Sequence, residues 1–319
     1  MRSIGSRRAL DAASGIWRQS LAGRFFRLLS PDALFHALVT TAGYLLLATV
    51  GLIFVFMFSQ AQPLFREYFL WEFLTGTTWL STASPPVFGI LPFVLGSAFI
   101  VGWALVVGVP LGFAVAVYQA ELASPVVRRL AGPLIGMLAG IPSVVYGILG
   151  LLIVAPYVAR VFSLPTGLTG LTAGTVLGIM IVPTVATIAE EALSSVPKEY
   201  REAALSLGAT PFQAFWTVVV PAASSGVTAG VLLAMGRALG ETMTVLIVAG
   251  GRLAVPHSLL MPMRTMTATL AAEINNTAQF GSHYQALFAL GTVLFLMTLA
   301  ITVGTDIMLQ RSRKGAGHH

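Results

Sequence analysis

The chain has 319 residues, of which 56% are apolar and only 9% charged. A soluble domain carries about a quarter charged residues, so this chain cannot cover itself with polar surface and is expected to sit in lipid. Its net charge of +6 comes from arginines that flank apolar segments, which marks a membrane side rather than nucleic acid, and the lack of cysteine excludes disulfides, thiol chemistry and Cys-ligated metals.

In chain order, residues 1–33 are polar and basic, with Arg2, Arg7, Arg8, Arg18, Arg24 and Arg27. Ile16, Trp17, Leu21, Phe25, Leu28 and Leu29 recur near helical spacing, so an amphipathic helix on an anionic lipid surface is expected there. Six apolar segments follow at 35–58, 89–119, 130–158, 168–189, 222–249 and 285–309. Each is long enough to cross a bilayer, and each must be helical because an open sheet leaves its backbone unsatisfied in lipid. The predicted fold class is therefore all-α and integral to the membrane: a transmembrane domain over 34–310, polar loops at 60–88 and 250–284, a charged loop at 190–221 and a tail from 311 to 319.

Basic residues set the predicted orientation. With both termini inside, the cytoplasmic segments hold the six N-terminal arginines, Arg128, Arg129, Lys198, Arg201, Arg311, Arg313 and Lys314, while only Arg66, Arg160, Arg252 and Arg264 lie outside. Thirteen against four favours N-in and C-in. Pro92, Pro110, Pro142, Pro156 and Pro183 predict kinks, and glycines four apart, as at 132, 136 and 140, at 170, 174 and 178, and at 226 and 230, predict close helix contacts.

The loop SSVPKEYREAALSLGATPFQAFWTVVVP, residues 194–221, is the most informative segment. It predicts two short helices. Ser194 or Ser195 caps the first, Pro197 lies in its first turn, and Gly208 ends it in a left-handed turn. Thr210 caps the second, with Pro211 at its first position. Tyr200, Ala203, Ala204 and Leu207 give the first helix an apolar face that needs a docking partner.

Glu202-Ala203-Ala204, Gly208, then Val218, Val220 and Pro221 resemble the EAA motif of the permease subunits of ABC importers, with valines where that family usually has Ile and Leu. The resemblance implies that Tyr200, Glu202, Ala203, Ala204, Leu207 and Gly208 form a coupling helix seated on a separate ATPase. The alternative is an ordinary surface hairpin. The chain carries no phosphate-binding loop of its own, so no catalytic residue, cofactor or metal is expected in it.

The segment 222–249 carries Arg237-Ala238-Leu239-Gly240-Glu241-Thr242. Arg237 lies about 22 Å along the helix from Ala222, at a rise of ~1.5 Å per residue. A charge at such depth is costly and faces protein or water. On a continuous helix Arg237 and Glu241 share a face. One reading is anion recognition: an arginine fork fits an oxyanion, Glu241 accepts a hydrogen bond from a protonated oxygen, and Thr242 and Thr244 add hydroxyls. The other is a structural salt bridge within the bundle.

The stretch 237–242 is similar to that of the phosphate permeases within the ABC importer family, as are the segments 73–79, 88–93, 141–147 and 281–290. The resemblance implies import of phosphate through a substrate path at Arg237, Glu241 and Thr242. It also implies three kinds of partner besides inner-membrane lipid and phosphate: a PstA-like second permease, an ABC ATPase dimer, and a periplasmic phosphate-binding protein facing loops 60–88 and 250–284, with no nucleic acid. Trp71, Trp79 and Tyr284 are read either as contacts for that binding protein or as an interfacial aromatic belt. The competing functions are a permease for another oxyanion or phosphonate, an ion-coupled carrier and an intramembrane enzyme. The carrier reading lacks a row of titratable groups or an evident inverted repeat, and the enzyme reading lacks a serine or metal constellation.

Overall fold

A computed structural model describes the backbone of residues 31–316. Residues 1–30 and 317–319 lie outside it, and with them the surface helix expected in the basic N-terminal segment. Among the described residues, six helical segments are long and apolar enough to cross a membrane: Phe35–Arg66, Leu91–Leu122, Ser143–Val161, Gly170–Ser194, Pro211–Gly240 and Ser282–Gly304. The chain divides into two compact units, residues 1–56 and 57–319. The first contains most of helix α1 (Pro31–Ala61), whose side chains Phe35, Leu38, Leu45, Leu46 and Leu47 are all exposed. A helix that is apolar all round is suited to lipid rather than water.

The second unit opens on one side of the spans with helix α2 (Leu70–Thr75) and a hairpin of strands β1 (Trp79–Leu80) and β2 (Val87–Phe88), in which Trp79 pairs with Phe88. Helix α3 (Leu91–Val117) runs on through a π turn, Tyr118–Leu122. Helix α7 (Gly170–Ser194), started by the Thr169 hydroxyl accepting from the Thr172 amide, packs along α3 and forms the centre of the core with it. Their closeness depends on missing side chains: a Cβ on Gly112 would stand 2.6 Å from Val185 Cβ, and one on Gly178 would stand 2.9 Å from Val107 Cβ. The glycines at 226 and 230 likewise face Ala192 and Ile188 of α7, whereas those at 132 and 136 face open space. The predicted ridges are thus real contacts in α7 and unused within this chain at 132–136.

Two predicted spans are broken. The apolar run 130–158 was expected to be one helix, but it divides into α4 (Pro125–Ala139), capped by Ser124, and α5 (Ser143–Leu149). Pro142 supplies the reason: it has no N–H to continue the ladder and disfavours helix at Ile141. The crossing segment is α5, a π turn (Gly150–Val154) and α6 (Ala155–Val161), while α4 is a separate amphipathic helix with no buried residue.

The predicted span 222–249 begins earlier and ends earlier. After helix α8 (Lys198–Ser206), a short helix α9 (Pro211–Ala214) passes through a π turn (Phe215–Val219) into α10 (Val220–Gly240). The backbone leaves the helix at Glu241 (φ −69°, ψ 131°) and re-enters one at α11 (Met243–Val248). Helix α12 (Met266–Glu273), capped by Thr265, lies within the 250–284 loop, and α13 (Ser282–Ala316) is the last span.

Candidate translocation and coupling sites

Arg237 lies in the last turn of α10, and its guanidinium bonds away from its own helix. Nη1 donates to Thr184 Oγ1 of α7 at 3.2 Å, and Nη2 donates to the Ala139 carbonyl at the end of α4 at 3.3 Å. Helix ends leave carbonyls without partners, so Arg237 closes one of them. Two of the five N–H donors of a guanidinium are used in this way. The side chain remains exposed on a cavity of about 770 Å3, with Thr184, Gly236, Thr298 and Thr302 also on its wall. A fixed cation with spare donors and nearby hydroxyls has the chemistry to receive an oxyanion.

Glu241 and Arg237 do not form the expected helical pair. Because the helix stops at Glu241, its side chain turns to the next helix, where Oε1 accepts from the Thr244 amide at 3.1 Å. No ion pair joins Arg237 to Glu241 among the described residues. Thr242 is the N-cap of α11, and its hydroxyl donates to the Gly240 carbonyl at 3.3 Å. The Thr244 hydroxyl donates to the Ser143 carbonyl at 2.9 Å, and the Thr267 hydroxyl donates to the Glu241 carbonyl at 2.8 Å. The α4–α5 and α10–α11 breaks therefore meet at two points, Arg237–Ala139 and Thr244–Ser143. Sequence reasoning missed Thr184 and Thr267; the signal for Thr184 was a hydroxyl directly after Pro183 in an apolar span.

On the other side of the spans, the coupling-loop residues lie together. Gly208 takes φ +86°, the left-handed turn expected of it, and the Ala209 amide closes on the Ala204 carbonyl at 3.1 Å. Thr210 and Gln213 form a reciprocal capping box, with Pro211 following the cap. The start of α8 differs from expectation: Pro197 occupies the cap position, while the Ser194 hydroxyl donates to Glu190 and that of Ser195 to the Ala192 carbonyl. Tyr200, Glu202, Ala203, Leu207 and Gly208 are exposed and Ala204 is half-buried. Leu207 is 90% exposed, an apolar side chain left entirely to a partner or to water.

The hairpin side holds a cluster that sequence reasoning did not find. Glu273 Oε1 accepts from Arg264 Nη1 at 2.6 Å, while its Oε2 accepts from Trp79 Nε1 at 3.0 Å and lies 2.9 Å from His283 Nε2. Trp79 is 2% exposed and packs edge-on to Phe88 and Phe93, so it is a core residue of the hairpin layer and not a free contact. Trp71 is exposed, and Tyr284 packs against Phe288.

Spans broken at facing points beside a basic side chain fit a membrane transport protein. The chain belongs to the family of binding-protein-dependent transport system inner membrane components, which matches residues 108–315, and it is a multi-pass inner-membrane permease. It is 34% identical to the phosphate transport system permease protein PstC of Mesorhizobium japonicum, covering 97% of this chain and 99% of that one. It is 34% identical to PstC of Pasteurella multocida over 86% of this chain and 89% of the relative. The probable PstC of Methanocaldococcus jannaschii is 30% identical, over 84% and 90%. Among solved structures, an ABC transporter that imports alginate matches with a TM-score of 0.58 at 16% identity, covering 90% of this chain and 99% of that one. The methionine transporter MetNI matches with a TM-score of 0.51 at 16% identity, covering 70% and 94%. Both agree in fold.

Proposed function

We propose that this chain is the permease subunit of an ATP-driven importer of inorganic phosphate, forming half of the translocation path with a PstA-like second permease. The observation that carries the substrate is similarity over nearly the full length to relatives named phosphate transport permeases. The Arg237 fork supports a path for an oxyanion, with Glu241 and Thr242 on the adjoining break. The exposed Tyr200, Leu207 and EAA stretch support docking of an ABC ATPase dimer on α8. In this reading loops 60–88 and 250–284 face a periplasmic phosphate-binding protein. The distribution of basic residues supports N-in and C-in.

The test is uptake of labelled phosphate into proteoliposomes holding the assembled complex, its binding protein and internal ATP, with sulfate and phosphonate as competitors. ATP-dependent phosphate uptake that excess sulfate leaves unchanged is the expected result. Preferential uptake of another oxyanion would overturn the phosphate assignment and leave the importer class standing.

A further inference from the structure

Arg201 stands within the exposed α8, beside Glu202, yet its guanidinium turns back toward the spans. It pairs with Glu121, in the π turn Tyr118–Leu122 that closes α3. The Glu121 side chain is 15% exposed against 41% for Arg201, so the acid is held in the body of the protein and the cation reaches in from α8. Both line a cavity of about 400 Å3, together with Arg128, Lys198, Glu202 and Leu193. Arg128 is already engaged there: its Nε donates to the Gln119 carbonyl at 2.8 Å and its Nη2 to that of Ala120. Two cations thus gather at the carbonyl end of α3, one on the backbone and one on its last acid, where a helix end favours positive charge.

The backbone of α8 packs on α9 and on the turn Phe215–Val219, the start of the segment that runs on into α10. By contrast, α3 packs along most of α7, and α7 along α10. An ion pair from α8 to the end of α3 therefore joins a surface helix to the most closely packed pair of spans. We infer that Glu121 and Arg201 are a positioning pair, a strut through which displacement of α8 is passed to α3. This rests on the reading of α8 as the ATPase-docking helix.

The experiment measures phosphate imported per ATP hydrolysed by the reconstituted complex carrying Glu121→Gln, Arg201→Gln, the double variant, or Arg201→Lys. Co-purification of the ATPase shows assembly for each. The expected result is a fall of about tenfold or more in that ratio for each neutral variant, no further fall in the double variant, and near-normal coupling with Arg201→Lys. Unchanged ratios in the single variants, or losses that multiply in the double variant, would overturn the strut, since partners in one contact are non-additive. Because the chain has no cysteine, Leu207→Cys gives a single site for crosslinking to the ATPase. Normal uptake without any crosslink refutes docking through α8. Crosslinking in every variant with unchanged ratios refutes the strut alone.

Discussion

Replacing Arg237 with glutamine removes the charge while keeping a donor for the Ala139 carbonyl or the Thr184 hydroxyl. The guanidinium has five N–H groups, and its two bonds at 3.2 and 3.3 Å leave three for a ligand. Hydrogen bonds to charged groups contribute about 1.5–3 kcal/mol each. Loss of one or two from a passing anion therefore amounts to roughly 1.5–6 kcal/mol, or upwards of ~10-fold in transport at limiting phosphate. Lysine keeps the charge but not the planar fork, so Arg237→Lys should fall between the two. Thr184→Ala is the comparison: it removes one of the two bonds that hold the fork and one hydroxyl of the cavity wall, and leaves the cation in place. The assay is initial phosphate uptake against concentration in proteoliposomes, with ATP hydrolysis read in parallel. The expected order is wild type, then a small loss for Thr184→Ala, then Arg237→Lys, then Arg237→Gln. If Thr184→Ala falls as far as Arg237→Gln, Arg237 acts by bracing the α4–α5 break; if Arg237→Gln transports normally, its side chain has no part in the anion path.

Glu241→Gln retains an acceptor for the Thr244 amide but loses the carboxylate charge. In competition uptake it should weaken the preference for phosphate over sulfate, because only a protonated oxyanion gains from an anionic acceptor. Glu273→Ala removes the shared partner of Arg264, Trp79 and His283 and strands a guanidinium whose Nε is already buried without a hydrogen bond. Its cost is about 3–5 kcal/mol, visible as a lower thermal midpoint in detergent. Gly112→Val drives a branched side chain into Val185 and should cost at least ~1–3 kcal/mol by overpacking, read as lost expression or a lower midpoint. Single cysteines at Ser81 and Ser206, in a chain that has none, should react with an impermeant thiol reagent from the periplasmic and the cytoplasmic side respectively; the reverse would refute N-in, C-in.

Local signals made the coupling loop legible. Gly208, Thr210 and Pro211 each impose a conformation within a few residues, and all three hold in the structure. The breaks were not legible, because an apolar run reads alike whether it is one helix or two. Pro142 in an apolar run predicts a kink in one span, whereas it separates α4 from α5. The spacing of Arg237 and Glu241 implied one helical face only while the helix continued, and the backbone at Glu241 ends it. The Glu273 cluster was hidden for a different reason: Trp79 and Glu273 are 194 residues apart, beyond any periodic pattern.

The two breaks have a common physical logic. In lipid an interrupted helix exposes amides and carbonyls that water cannot reach, at several kcal/mol each. Here the α4–α5 interruption is met by side chains of α10 and α11, and the α10–α11 interruption by its own Glu241 and by Thr267 of α12. Arg237 of α10 closes the Ala139 carbonyl at the end of α4, Glu241 closes the Thr244 amide at the start of α11, and the Thr244 hydroxyl adds a bond to the Ser143 carbonyl of α5. Straightening either segment would strip partners from the other, so the two are expected to change conformation together. In the proposed function, the side chain that repairs one break is also the cation offered to the anion. An oxyanion bound through the three remaining N–H groups would then sit on the same fork that closes the Ala139 carbonyl, which would tie occupancy of the path to the end of α4.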